Sequence, residues 1–327
     1  MKRLTSLLLL IVWVLSVGQQ PLHAADATVG TGTAVSCTEA AFNAALSTVQ
    51  SSGSGTITFN CGGATTIIFT ASKIISNAAV TINGGNSITL SGGNTIRPFY
   101  VDSNATLTLQ NITLTNGLDN TYGGGAILSL GELTLSNTTI RNSNVDPTHS
   151  GGAIMSLGPV TMSNSLLENN SGGSVGGLFL FGEAADATIT NSTFRNNNTT
   201  NNAYGLGGAI TTWNGADLIV RGSTFSENEA RYGGAIFNES ANTTILVEQN
   251  SVLHGNLATA GGGGIYNHAG EIILNQVRFQ QNNALNGGGL FVHSTSEANL
   301  FNVTFQANTA LANGGGLRHP FGFRISD

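Results

Sequence analysis

From residue 124 onward the apolar positions recur in a fixed phase. A Gly-Gly pair, a small residue and an apolar anchor return at Ile127, Ile154, Ile210, Ile236, Ile265, Leu290 and Leu317, with a degenerate copy at Leu178. Successive anchors are 27, 24, 32, 26, 29, 25 and 27 residues apart. Between them lies a second block, an apolar residue followed three places later by Asn: Leu167 and Asn170, Phe194 and Asn197, Phe225 and Asn228, Leu253 and Asn256, Phe279 and Asn282, Phe305 and Asn308. The positions seven and five before this apolar residue are apolar too, as in Leu218 and Val220 before Phe225 or Ile272 and Leu274 before Phe279. Alternation over so short a run is strand periodicity. Gly and Asn are poor helix formers, and no stretch of about ten residues is left for a helix inside the unit.

Units of this size made of short strands and turns cannot each bury a core. They predict a solenoid of parallel coils, in which every residue sits on its own copy about 4.8 Å away. Ile, Leu and Phe would fill the interior, and Gly-Gly would serve the sharp bends. The recurring Asn can adopt left-handed geometry and hydrogen-bond its copies or the turn backbone. Asn-x-Ser/Thr triplets such as Asn111-Ile112-Thr113 and Asn191-Ser192-Thr193 read as turns. The coils are expected over residues 63–317, behind an N-terminal cap at 28–62. There Ala41, Phe42, Ala45, Leu46 and Val49 have helical spacing, with Thr38 as N-cap. Such a helix would cover the open first coil. A Cys37–Cys61 disulfide would tie it to a strand at Thr56–Phe59, stabilising the fold by about 3 kcal/mol. Residues 318–327 leave the pattern and look like the cut end of a longer protein.

Charge is scarce: Lys and Arg number 11 and Asp and Glu 17, together 9% of the 327 residues. A stack explains this, because a charge repeated in one column meets its copy at about 4.8 Å, at a cost of about 1 kcal/mol in water. The net charge of −6 and the lack of any basic run argue against nucleic acid or an anionic membrane surface as partner. Residues 1–27 have the layout of a secretory signal peptide: Lys2-Arg3, an apolar run from Leu7 to Val17, then small residues, with cleavage after Ala24 or Ala27. That run is shorter than the roughly 20 residues a spanning helix needs, and no transmembrane segment is expected in the mature chain. The expected location is secreted or at the cell surface.

With these residues in view, the Gly-Gly-Ala-(Ile/Leu) and Phe-x-x-Asn motifs resemble the repeats of chlamydial-type polymorphic outer membrane proteins. The segment Ser36-Cys37-Thr38-Glu39-Ala40-Ala41-Phe42 is similar to the lead-in of many exported β-helices, though it lacks their Leu-Arg pair. The resemblance implies an all-β, right-handed parallel β-helix, and an adhesin-like surface passenger associated with an outer membrane. No translocator barrel follows residue 317, which departs from that family.

Two columns carry the candidate chemistry. One place after the anchor come Leu128, Met155, Phe179, Thr211, Phe237, Tyr266 and Phe291; three places after it come Leu130, Leu157, Phe181, Trp213, Glu239, His268 and His293. Glu239, His268 and His293 would lie on successive coils and could hold a metal, or they are simply tolerated on an outward face; no cofactor is implied. If the anchor points inward, the aromatic column forms an outward ribbon; the opposite parity would make it core. The invariance of Ile and Leu at the anchor favours the ribbon, so Phe179, Trp213, Phe237, Tyr266 and Phe291 are expected to form a face that docks a glycan or a cell-surface protein. Acidic residues are scattered, with no Asp-Asp or Gly-His-Gly stretch, so the expectation is a structural or adhesin-like module without catalysis. A carbohydrate-active β-helix enzyme, either polysaccharide lyase or glycoside hydrolase, is the alternative.

Overall fold

The computed structural model describes residues 24–201 and 203–319. Most of the segment expected to be a signal peptide, and the last eight residues, therefore lie outside the described part. Within it the chain winds into a parallel β-solenoid. One turn runs through strands Ile154–Ser156, Val160–Ser163, Leu166–Glu168 and Ser171–Gly172, and the next begins at Leu178–Phe181. Each strand pairs in parallel with its own copy one turn on: Ile154 with Leu178, Met162 with Ile189, Leu167 with Phe194, Ser171 with Asn198. Three sheets result. One has ten strands, from Lys73–Ile75 to Leu317–Arg318; one has eight short strands; the third takes two strands from most turns.

The interior follows from the period. The anchors Ile127, Ile154, Leu178, Ile210, Ile236, Ile265 and Leu290 are fully buried, as are the alternating pairs Leu218 with Val220 and Ile272 with Leu274. Burying each such side chain is worth about 2 kcal/mol. Phenylalanines on adjacent turns stack: Phe194 on Phe225 with centroids 5.0 Å apart and rings 9° from parallel, Phe279 on Phe305 at 4.9 Å and 17°. Because side chains alternate across a strand, the same register turns every second residue away from the core.

Two polar ladders run through the corners. Asn170, Asn197, Asn228, Asn256 and Asn282 are fully buried, and each side-chain amide donates to the Oδ1 of the next, from Asn170 to Asn308, at 2.8–3.0 Å. Each also donates to a carbonyl of the preceding turn, as Asn228 does to Phe194 at 3.0 Å. The expected left-handed geometry belongs to a different residue: φ is positive at Asn169, Asn196, Glu227, Gly255, Gln281 and Ala307, one place before each ladder Asn. The preceding residue makes the sharp bend, which leaves the Asn side chain free to point inward. The second ladder is made of serines: the backbone N–H of Ser165, Ser192 and Ser223 each donates to the hydroxyl of the next, ending at Ser251. Both ladders satisfy backbone groups that turning into the interior would otherwise leave unpaired.

Gly233 and Gly234 illustrate why the bend needs two glycines. Gly233 sits at φ +62°, a conformation that strains other residues, and a Cβ on Gly234 would lie 2.3 Å from the carbonyl oxygen of Gly263. At the N-terminal end, helix α1 (Glu39–Ser51) lays Phe42, Ala45, Leu46 and Val49 against the first coils, with the Thr38 hydroxyl accepting from the N–H of Ala41 at 3.1 Å. Phe42 packs on Phe69 at 4.9 Å, and a Cys37–Cys61 disulfide joins the segment before α1 to the end of strand Ser54–Phe59. Glu39 accepts from the N–H and hydroxyl of Thr70 at 3.0 and 2.8 Å and pairs with buried Lys73. Burial opposes its ionisation, but the Lys73 ammonium and the Thr70 donors together hold its carboxyl down at about 2.

Candidate binding site

With the anchors turned inward, the residues one place later point out of the coil on the ten-stranded sheet. The aromatic ribbon is nevertheless not exposed: Phe179, Phe237, Tyr266 and Phe291 retain 9%, 4%, 8% and 9% of their surface. The long 32-residue turn before Ile210 supplies part of the cover through Leu206. That turn is tied to the one below it: Thr200 and Asn201 N–H donate to the carbonyls of Gly172 and Gly173 at 2.8 and 3.0 Å, and Leu206 N–H to that of Ser174 at 2.7 Å. Leu206 and Tyr232 then pack over Phe237, Tyr266 and Phe291. Inside the ribbon Tyr266 stacks on Phe291 at 4.6 Å and 4°, and on Phe237 at 5.5 Å and 22°. Stacking at the repeat distance hides the ring faces, and the loop hides what remains. The expected open platform is in these coils a second, smaller core.

What stays open is a groove of about 630 Å³ beside it. Its floor is Phe179, Phe181, Trp213, Phe237, Tyr266, Glu239 and His268, and its wall includes Tyr204, Leu206 and Tyr232. Tyr204 is 70% exposed, and Phe181, Trp213, Glu239 and His268 are half-buried. Of the expected face, Phe179, Trp213, Phe237 and Tyr266 meet here; Phe291 does not line the groove, and the Arg318 guanidinium lies 5.2 Å from its ring centre. Phe179 meets Trp213 at 84° and Phe181 at 64°, with centroids 6.4 and 5.7 Å apart.

Glu239, His268 and His293 do follow one another on adjacent turns, and the two imidazoles lie 4.8 Å apart, tilted by 47°. Among the described residues no three His, Cys, Asp or Glu side chains are grouped so as to hold a metal ion. His268 instead lies near-parallel to Phe237 and Tyr266, 6.3 and 6.2 Å from their centres, as one more ring of the stack. Burial, and then the adjoining His268, hold the His293 imidazole below the usual histidine range. Burial likewise pushes the Tyr266 phenol up to about 12, with Tyr232 adding to the effect and Arg318 opposing it.

A comparison with known families bears on this geometry. The sequence pattern described as the right handed beta helix region matches residues 94–245 and 174–310, well over half of the chain. The chain belongs to the right-handed β-helix family. No curated protein and no solved structure matches it. Members of this family include both enzymes and surface proteins, so membership by itself assigns neither role. In this β-helix no described helix is long and apolar enough to cross a membrane.

Two features, the groove wall and a loop outside the lining residues, have no motif in the sequence. The wall joins Tyr204 and Leu206, from a turn whose only mark is its length, to Tyr232 of the next turn. The neighbouring loop is pinned by a buried ion pair: Arg97 meets Asp119 at 2.6 Å and donates to the carbonyls of Gly124 and Gly123 at 2.9 and 2.8 Å. Burial lowers the Arg97 pKa, against the pull of Asp119; burial opposes ionisation of Asp119, yet three backbone N–H donors hold its carboxyl low.

Proposed function

We propose that this β-helix is an exported surface module that docks a glycan or a cell-surface protein in the aromatic groove, without catalysis. The observation that carries the reading is the groove itself: a space of about 630 Å³ with Phe181, Trp213 and Tyr204 partly open to solvent, on a rigid sheet. Sites for ligands have this size and this largely apolar, few-polar lining. Export is supported by the layout of residues 1–27 and by the disulfide, which persists in oxidising compartments. The Gly-Gly-Ala and Phe-x-x-Asn motifs support a surface role like that of the polymorphic outer membrane proteins.

Glu239 and His268 at the floor favour the second reading, a polysaccharide-cleaving enzyme. Against it, the described lining residues carry one carboxylate, whereas hydrolysis by the usual route takes a pair. A glycan array and a cell-binding assay, run on the full chain and on a Phe181→Ser, Trp213→Ser variant, test the proposal. Both substitutions are at half-buried positions and spare the core. Loss of binding with an unchanged circular dichroism spectrum is expected, and undiminished binding refutes the groove as the docking site. New reducing ends or unsaturated products from a polysaccharide panel would establish the enzymatic reading instead.

A further inference from the structure

The charge and ring geometry of the groove narrow what it can hold. We infer that it selects a compact organic cation, an alkylated ammonium head of the trimethylammonium type. This rests on the reading that the groove is the docking site, and names the group it reads.

Three observations lead there. The first is charge: Glu239 is the one carboxylate among the described lining residues, and no Lys or Arg lines the groove with it. Arg231 is not among the lining residues; its guanidinium, which keeps its charge, lies over the wall residue Tyr232, 5.1 Å from the ring centre, and donates to the carbonyl of Ala203. A carboxylate in a largely apolar space, whose other polar groups are the His268 imidazole and the serine and tyrosine hydroxyls, is complementary to a positive ligand and repels an acidic one.

The second is the orientation of the rings. A flat sugar ring wants one broad open aromatic face. Here Phe237 and Tyr266 lie in a near-parallel stack, their faces turned toward neighbouring rings. At the other end Trp213 and Phe181 stand at 84° and 64° to Phe179. At that end Phe179, Phe181 and Trp213 turn their faces in different directions, which suits a rounded group, and the negative face of an aromatic ring attracts a cation.

The third is position. Strand pairing sets Thr212 beside Asn238, so Trp213 and Glu239 follow at equivalent places on adjacent turns of the sheet. The carboxylate and the most electron-rich ring are therefore neighbours. An alkylated ammonium uses both, because its methyl groups bury against rings while its charge answers the carboxylate.

The test titrates the full chain with choline, with its uncharged isostere 3,3-dimethylbutan-1-ol, and with neutral oligosaccharides, by calorimetry. Choline is expected to saturate one site and bind at least tenfold more tightly than the isostere. The isosteric Glu239→Gln variant is expected to lose most of that preference while binding the isostere as before; Trp213→Phe, checked for fold by circular dichroism, is expected to weaken choline severalfold. Equal affinity for choline and isostere, or a preference that survives Glu239→Gln, overturns the inference. If neutral oligosaccharides compete at the groove and choline does not, the inference falls and the docking reading stands. If no probe binds and the cell-binding assay is also indifferent to Phe181→Ser, Trp213→Ser, both fall.

Discussion

Replacing Asn228 by Ala should cut the asparagine ladder at its middle. The side chain is fully buried and makes four hydrogen bonds. Its amide donates to Phe194 O at 3.0 Å and to Asn256 Oδ1 at 2.9 Å, and its Oδ1 accepts from the backbone and side-chain nitrogens of Asn197, both at 3.0 Å. Truncation leaves two donors on Asn197 and the Phe194 carbonyl without these partners. The backbone N–H of Asn228 still reaches Asn256 Oδ1 at 3.0 Å, so that acceptor is not orphaned. At about 1–3 kcal/mol per buried group left unpaired, the loss is at least about 3 kcal/mol. The control is Asn308→Ala. Asn308 makes the same kind of contacts, to Asn282 and to Phe279 O, but is only half-buried, so water can take over and the cost should be about 1 kcal/mol. Urea unfolding followed by circular dichroism gives both values from midpoint and slope. Equal losses at the two positions would refute the argument that desolvation of the interior, and not the bond count, sets the worth of the ladder.

Other substitutions probe the remaining joints. Gly234→Ala should destabilise by several kcal/mol, or prevent folding, because its Cβ meets the Gly263 oxygen at 2.3 Å, while Gly63→Ala, with nothing within 4 Å, should be neutral; thermal melts compare them. Cys37→Ser opens a loop of 24 residues and should cost about 3 kcal/mol by urea titration, an effect that disappears if both proteins are first reduced. Glu39 has its carboxyl lowered from 4.5 to about 2, so its contribution to stability is complete above about pH 4.5 and is lost as pH falls toward 2. Glu39→Gln should therefore be less stable at pH 7 and show a flatter acid dependence between pH 4.5 and 2; an unchanged slope would contradict the Lys73 and Thr70 contacts.

The repeat carried most of the fold because in a stack the same physical demand recurs every turn. An Ile in one anchor is weak information; an Ile or Leu in the same phase eight times leaves few alternatives. The disulfide and the amphipathic residues of α1 were legible for the ordinary reasons of spacing and period. The left-handed positions were misplaced by one residue because Asn does two jobs here: Asn196 bends the chain and Asn197 fills the ladder, and composition cannot tell them apart. The serine ladder escaped notice because Ser165, Ser192 and Ser223 sit among many other serines and threonines. The groove was half legible. Strand parity put Phe179, Trp213, Phe237 and Tyr266 on one outward face, but the lid of Leu206 and Tyr232 over that face depends on a loop path that no periodicity encodes.

That loop path suggests how such a protein can change what it recognises. Register is held by the core columns and the two ladders, which stay in phase although turns vary from 24 to 32 residues. Doubling the length of a surface loop adds only about 0.6 kcal/mol of closure cost. Tyr204 and Leu206 come from the longest of these turns, and with Tyr232 of the next they form the wall and cover the rings. Holding and reading are thus assigned to different residues. Trading one turn for another of different length and composition would rewrite specificity while the spine, only a hydrogen bond away, remains untouched.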